Sequence, residues 1–362
     1  MKNTLGSNVT VTIFGESHGN AIGAVIDGLA SGIPVYEDFI RSQLDLRRPA
    51  GSISTARREA DPFIIESGVF EGHTTGTPLC IVIPNGDTRS KDYSEMAGTA
   101  RPSHADYTAY IKYGGLADYR GGGHFSGRIT AAVVAAGGVV IPALKAKGIL
   151  IGTHIKRCAG ISDRDFENLY EDINALSTKQ FAVLDSDAGE QMTAAINAAA
   201  KEGDSVGGIL ETAITGLPAG LGEPWFDTAE GLLSKAVFSV PAIKGIEFGA
   251  GFSLADMRGS AANDPFKIKD GKVVTATNNS GGINGGITNG MPIIFRSAVR
   301  PTPTISLEQN TVDFKENKET KLSARGRHDP CIVHRARVVI DSIAALVICD
   351  MLSTRFGNDW IK

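Results

Sequence analysis

The sequence predicts an α+β fold in which buried helices lie between mainly antiparallel sheets. Strand-like and helical stretches alternate irregularly, with strands falling in neighbouring pairs rather than in a regular strand–helix repeat. Two helical stretches, 129–144 and 332–353, are so apolar that a layer covered on both faces is expected around them. No low-complexity tract or Pro/Ser-rich linker divides the chain, so residues 1–362 read as a single domain.

The elements follow in order. Val9, Val11 and Ile13 alternate with Thr10 and Thr12, which predicts a half-buried strand over 8–14. A polar turn, Gly15 to Gly19, leads into a returning strand over 21–29 and would present Ser17 and His18 at a sheet edge. Pro34 precedes a helix over 36–48, which ends at Arg47-Arg48-Pro49. The polar stretch 50–61, with Arg57 and Arg58, has no apolar period and reads as a loop; with the pair Arg47-Arg48 before it, it is either a lid over an anion or a solvated charge run. Segments 62–71 and 77–84 predict strands joined as a hairpin, and a short helix is expected over 105–113.

Beyond the first apolar helix, 148–160 reads as a strand, and 163–185 shows no clear pattern. Residues 187–203 form an amphipathic helix, with Met192, Ile196 and Ala199 on one side. A strand over 209–217 precedes a helix over 228–238, whose start resembles a capping box made by Asp227 and Glu230. Strands over 245–252 and 292–300 flank a polar loop at 257–272 and a glycine cluster at 279–286. That cluster lacks the dinucleotide-binding spacing.

The chemistry concentrates in Arg101 to Arg128, which holds two histidines, three arginines and the run Gly121-Gly122-Gly123. Glycine lets backbone N–H groups approach a ligand, and the apolar helix would start at Ser126 and Gly127 with Arg128 in its first turn. Such a helix start suits an anion; a glycine-rich surface turn with solvated arginines is the plainer reading. The same arrangement recurs at 326–336, where Arg327, His328 and Asp329 precede the last helix and His334 and Arg335 fall in its first turn. Five of the seven histidines (His18, His104, His124, His328 and His334) lie in or beside glycine-rich or helix-start segments. Histidine is the side chain best suited to proton transfer near neutrality, so the pattern fits a polyanionic substrate in proton-coupled chemistry.

Several classes are disfavoured. The formal net charge of −4 opposes a nucleic-acid coat. Cys80, Cys158, Cys331 and Cys349 are far apart, and the histidine spacings are not those of a zinc site, so no metal is expected. There is no P-loop. The stretch 129–144 is shorter than a spanning helix and contains Gly137, Gly138 and Pro142, and the first residues lack a signal-peptide pattern, so a cytoplasmic protein without membrane partners is expected.

Six motifs then stand in one order: FGESHG at 14–19, RPSHADY at 101–107, YRGGGHFSGR at 119–128, GDSVGG at 203–208, NSGGINGG at 279–286 and GRHDPCIVHRA at 326–336. In this order and register the chain resembles the chorismate synthase family over nearly its whole length. The resemblance implies a lyase that converts 5-enolpyruvylshikimate 3-phosphate to chorismate and phosphate by 1,4-anti elimination, with reduced FMN and no net redox change. It implies a βαβ sandwich and a homotetramer. His18 would protonate the departing phosphate, His104 would protonate the reduced flavin, and Asp329 would assist removal of the ring proton, with Ser17 and Ser126 in support. Arg48, Arg128, Arg327 and Arg335 would hold the phosphate and carboxylates. FMN would meet His124, Phe125, Ser126, Pro241, Ala242, Gly285, Arg300, Pro301, Thr302, Pro303, Thr304 and Arg327. An outside reductant would supply the reduced flavin, and NADPH is a candidate for reduction on the enzyme itself. The chain departs from the family pattern at His124, where arginine is frequent, at Ser103, where glycine is, and in RARVV, where a proline-containing sequence is usual. The rival from another class is a non-catalytic flavin- or anion-binding protein on the same scaffold.

Overall fold

The computed structural model describes residues 2–49, 51, 53–54, 61–86, 98–323 and 329–361. In chain order the first sheet contributes β1 (Thr4–Leu5), β2 (Thr10–Gly15) and β3 (Ala21–Asp27). Helix α1 (Glu37–Arg47), β4 (Ile64–Ser67), the two-residue strands β5 (Val69–Phe70) and β6 (His73–Thr74), and β7 (Leu79–Pro84) follow. Next come α2 (Asp106–Lys112), α3 (Thr130–Ala146), β8 (Leu150–Cys158), β9 (Ile161–Ser162), α4 (Leu169–Leu176), α5 (Ser186–Lys201) and β10 (Gly208–Thr215). The last part holds α6 (Ala229–Ser239), β11 (Ile243–Phe248), α7 (Gly259–Ala262), β12 (Phe266–Lys269), β13 (Lys272–Thr275), β14 (Ile283–Asn284) and β15 (Ile287–Thr288). It closes with β16 (Ile293–Val299), β17 (Gln309–Asp313), β18 (Lys318–Leu322) and α8 (Val333–Phe356).

Two five-stranded sheets carry the architecture, one in the order β1-β2-β3-β7-β4 and the other in the order β11-β16-β10-β8-β9. Every strand pair in both is antiparallel. The α3 helix packs on β3 and β7 of the first sheet, and α8 packs on β8 and β10 of the second. The two helices also pack on each other, so a helical layer lies between the sheets. This is the α+β sandwich the sequence predicts.

Small residues set the close helix crossing. A methyl group on Gly137 of α3 would lie 2.4 Å from Ser342 Cβ of α8, and one on Gly138 would lie 3.0 Å from Ile40 Cγ1 of α1. The buried α8 keeps its polar groups paired. Asp341 accepts from Thr153 at 2.6 Å and from Arg337 at 3.0 Å, while Asp350 accepts three backbone N–H groups at Ser7, Asn8 and Val9.

The face of the second sheet bearing His154 carries a row of charge. Pairing places Glu247 opposite Arg296, Arg296 opposite Glu211, and Glu211 opposite His154. Arg296 binds Glu247 at 2.7 Å and Glu211 at 3.3 Å, while His154 lies 3.2 Å from Glu211 and 2.7 Å from Asp163. Burial alone would lower the His154 pKa, but its bonds to Asp163 and Glu211 outweigh that and raise it.

Several local expectations change. The cap of α6 is Thr228, whose Oγ1 accepts the Gly231 N–H at 2.9 Å, one residue beyond the expected Asp227. The expected loop at 257–272 contains α7 and most of the β12–β13 hairpin, because Phe266, Ile268 and Val273 alternate with lysines there. The strand expected at 245–252 begins at Ile243 and ends at Phe248. The helical run from Gly127 to Ala146 is 20 residues, long enough to cross a membrane by length and composition, but 72% of its apolar window is buried in the sandwich.

Candidate active site

The β2–β3 turn and the glycine run are bonded to each other across the sheet edge. The Ser17 N–H donates to the Gly123 carbonyl at 3.1 Å, and His124 Nδ1–H donates to the Gly15 carbonyl at 2.7 Å. His124, the departure noted from sequence, therefore holds the end of β2. The three glycines have φ of +59°, +86° and +53°, a region that side chains rarely adopt. A methyl group on Gly121 would sit 2.2 Å from His18 Cε1 and 2.8 Å from Ser17 Oγ. One on Gly122 would sit 3.3 Å from His104 Cε1. Read from sequence as open backbone for a ligand, Gly121 and Gly122 instead give clearance to the imidazoles of His18 and His104.

Ser126 caps the turn that opens α3, its Oγ accepting the Arg128 N–H at 3.3 Å. His104 is held by its own motif. Its Nδ1 lies 3.1 Å from Asp106 Oδ1 and 3.0 Å from Arg101 Nη2, and Arg101 grips both carboxylate oxygens of Asp106. Burial would raise the Asp106 pKa, but hydrogen bonds from Arg101 and His104 hold it well below the usual carboxylate range. A cavity of about 120 Å³ opens beside this group, lined by His104, Gly122, Phe125, Tyr110, Phe314 and Lys315 among others.

A second cluster lies where α1 ends and α3 begins. Asp61, only 3% exposed, pairs with Arg128 and with Arg47 at 3.5 Å. Arg335 donates through Nε to the Arg47 carbonyl at 2.9 Å and through Nη1 to Asp329 at 2.5 Å. Arg48 binds Asp45 at 2.7 Å, and its carbonyl accepts from Gln180. Arg47, Arg128 and Arg335 thus lie in one network with Asp61 and Asp329, and Arg48, next in the chain to Arg47, pairs with Asp45. Asn85 joins this network to the histidine turn. Its Nδ2 donates to the Glu16 and Gly19 carbonyls at 2.9 Å each, and its Oδ1 accepts from Arg128 Nε at 3.1 Å.

A third group sits at the end of the second sheet. The Arg300 N–H donates to the Ala242 carbonyl at 3.0 Å, and Ser205 Oγ donates to the Thr302 carbonyl at 2.7 Å. Thr302 Oγ1 is buried with no partner among the described residues, and burial lowers the Arg300 pKa. Ala242, after Pro241, has φ of +76°. Gly285 belongs to a different element, the turn of the β14–β15 hairpin, and a methyl group on it would meet nothing within 4 Å.

Arg327, His328, Arg57 and Arg58 lie outside the described residues. His334 differs from the sequence reading: it is 1% exposed, its Nε2 lies 2.7 Å from Ser54 Oγ, and burial lowers its pKa to about 4. It is a neutral core residue at pH 7. No group of three or more His, Cys, Asp or Glu side chains placed so that it could hold a metal ion occurs among the described residues.

The chorismate synthase family model matches residues 9–353, nearly the whole chain. The chain belongs to the chorismate synthase family. It is 47% identical to chorismate synthase of Pyrococcus abyssi over 350 residues, 97% of both chains. It is 45% identical to that of Methanosarcina barkeri over 360 residues, 98% of both chains. A crystal structure of a chorismate synthase aligns with a TM-score of 0.77 at 28% identity, covering 97% of this chain and 94% of that one. The chain is accordingly an enzyme, a lyase of the chorismate synthase family.

Within this family framework, sequence reasoning missed Asp61, Asn85 and the contribution of Asp106. Asp106 was legible in RPSHAD, two residues from His104. Asn85 carried a weaker signal, a polar residue closing an apolar strand, and Asp61 carried none because its partners are distant in the chain.

Proposed function

We propose that this enzyme converts 5-enolpyruvylshikimate 3-phosphate to chorismate and phosphate by 1,4-anti elimination, using reduced FMN. The observation that carries the reading is the packing of Gly121 and Gly122 against His18 and His104, next to an arginine network tied in by Asn85. That arrangement puts proton-transfer groups beside cations suited to phosphate and carboxylate.

His18 protonates the departing phosphate, and Ser17, on the same turn, supports it by hydrogen bonding. Arg48, Arg128, Arg335 and Arg327 bind the substrate's anionic groups, which lowers the cost of charge on the leaving phosphate. Asp329 assists in removing the ring proton, oriented by Arg335. His104 holds a proton for the cofactor, with Ser126 alongside.

The residues at the end of the second sheet fit FMN. Arg300 offers a cation with no counter-ion among the described residues and Thr302 offers an unused buried hydroxyl, while Gly285, in the separate β14–β15 turn, offers open backbone. With His124, Phe125, Pro241, Ala242, Pro301, Pro303, Thr304 and Arg327 they would hold it. When bound, the reduced flavin supplies electron density that weakens the breaking C–O bond.

The protein works as a homotetramer in the cytoplasm on a small phosphorylated molecule, with neither nucleic acid nor membrane as partner. The exposure of Trp225 at 85%, Phe226 at 96% and Phe252 at 82% supports assembly, since so much aromatic surface is costly to leave in water.

The test is anaerobic. Protein, dithionite-reduced FMN and 5-enolpyruvylshikimate 3-phosphate should give chorismate and phosphate over many turnovers. Binding of both ligands without product would overturn the reading in favour of a non-catalytic flavin- and anion-binding protein. Replacing dithionite with NADPH asks whether the enzyme reduces its own flavin.

A further inference from the structure

We propose that Asp106 is the positioning residue of His104. Its carboxylate, clamped by Arg101, holds the imidazole Nδ1–H and leaves Nε2 as the nitrogen that gives and takes the proton. The inference rests on the reading of His104 as a proton-transfer group and adds the residue that sets its tautomer.

The local sequence builds the arrangement. Ser103, with φ of +59°, turns the chain back so that the His104 N–H donates to the Arg101 carbonyl at 3.0 Å. Arg101 and His104 then face Asp106, the first residue of α2. The Asp106 carboxylate accepts the Arg101 backbone N–H at 2.9 Å, Arg101 Nε at 2.8 Å and Arg101 Nη2 at 2.6 Å. Three donors from one residue fix its orientation, and Oδ1 is left 3.1 Å from His104 Nδ1.

Two groups compete for Nδ1. A protonated Nδ1 donates to Asp106, and a bare Nδ1 accepts from Arg101 Nη2 at 3.0 Å. A bond to a carboxylate is charge-assisted on the acceptor side, and it also persists when the ring is fully protonated. The Arg101 bond does not, because imidazolium has no lone pair to offer. Asp106 is therefore the partner that keeps the ring in one orientation through both protonation states, with the second nitrogen left for proton transfer. That nitrogen is on the Gly122 side: a methyl group there would lie 3.5 Å from Nε2. Asp118, Tyr110, Tyr119 and Lys315 line the adjoining cavity, and none of them is bonded to the ring among the described residues.

The test uses the full-length protein. Asp106→Asn keeps the size of the side chain but can offer an N–H to Nδ1, which favours the opposite tautomer. Turnover should fall by roughly a hundredfold or more, with KM and reduced-FMN affinity changed by no more than about threefold. In protein labelled with 15N-histidine, neutral His104 should be the Nδ1–H tautomer in wild type and the Nε2–H tautomer in the variant. Near-normal turnover by Asp106→Asn, or an Nε2–H tautomer in the wild-type protein, overturns the inference, and the second result needs no variant. His104→Ala is measured in parallel. If it is slow while Asp106→Asn is normal, only the positioning role fails; if it turns over like wild type, the proton-transfer reading of His104 fails and takes this inference with it.

Discussion

Asn85 Oδ1 accepts from Arg128 Nε at 3.1 Å, while the same amide donates to the carbonyls of Glu16 and Gly19 on either side of Ser17 and His18. One side chain at the end of β7 thus spaces a cation of the arginine network from the histidine turn. Asn85→Ala should lower stability by about 1 kcal/mol, because it removes three exposed or part-buried hydrogen bonds. Urea unfolding measures that loss. Turnover should fall further than the stability loss explains, and an unchanged rate would show that the turn keeps its shape without this tie.

Gly121→Ala tests the clearance role. Its φ of +59° already disfavours a side chain, and the added methyl would meet His18 at 2.2 Å. The strain should cost about 1–2 kcal/mol, and the displaced imidazole should lower turnover by roughly a hundredfold. Normal turnover would mean that His18 can move aside without loss of function.

Ser103 offers the opposite change. Its φ of +59° is one that glycine adopts more readily than serine. Ser103→Gly should relieve strain and raise stability by up to about 1 kcal/mol, since the gain is offset by the freer unfolded chain. Thermal melts of the two proteins give the sign directly.

Two buried histidines shape the pH dependence of stability in opposite directions. The His334 pKa is lowered to about 4 in the fold and is about 6.5 when unfolded. Between those values only the unfolded chain takes up the proton, so stability falls as pH drops from about 6.5 towards 4, by up to about 3 kcal/mol. His334→Gln should flatten that limb of a urea series. The His154 pKa is raised, so its stabilisation is complete below about 6.5 and declines as pH rises through the folded value. His154→Gln should lower stability by about 3–5 kcal/mol, because Asp163 and Glu211 lose their buried partner. A small loss would mean that Arg296 and backbone donors suffice to hold the carboxylates.

Arg300 is the cation to remove at the end of the second sheet. Arg300→Ala should weaken reduced-FMN binding by roughly tenfold to a hundredfold, the loss expected for one charge-assisted bond. Titration calorimetry under nitrogen reads it, and unchanged affinity would place the anionic end of the cofactor elsewhere.

Much of the fold was legible in the sequence because its signals are local. The alternation of Val9, Val11 and Ile13 fixes one face of β2, and strongly apolar runs mark α3 and α8 as largely buried helices. Six motifs in register identified the family and most of the candidate site residues. The β12–β13 hairpin carried a local signal that the sequence reading passed over, Phe266 and Ile268 alternating with lysines before an Asp270-Gly271 turn, although its apolar residues face outward.

What the sequence by itself determined was therefore the main strands and helices, the buried helical layer and the identity of the chemical groups. What only the tertiary structure decided was which of those groups meet. Arg128 and Asp61 are 67 residues apart, and His124 and Gly15 are 109 apart, so no local pattern could pair them. The same applies to His334, which looks like a proton-transfer residue at a helix start and proves to be a neutral core side chain. Burial and long-range hydrogen bonds set protonation and orientation, and both depend on packing between segments that the chain order keeps far apart.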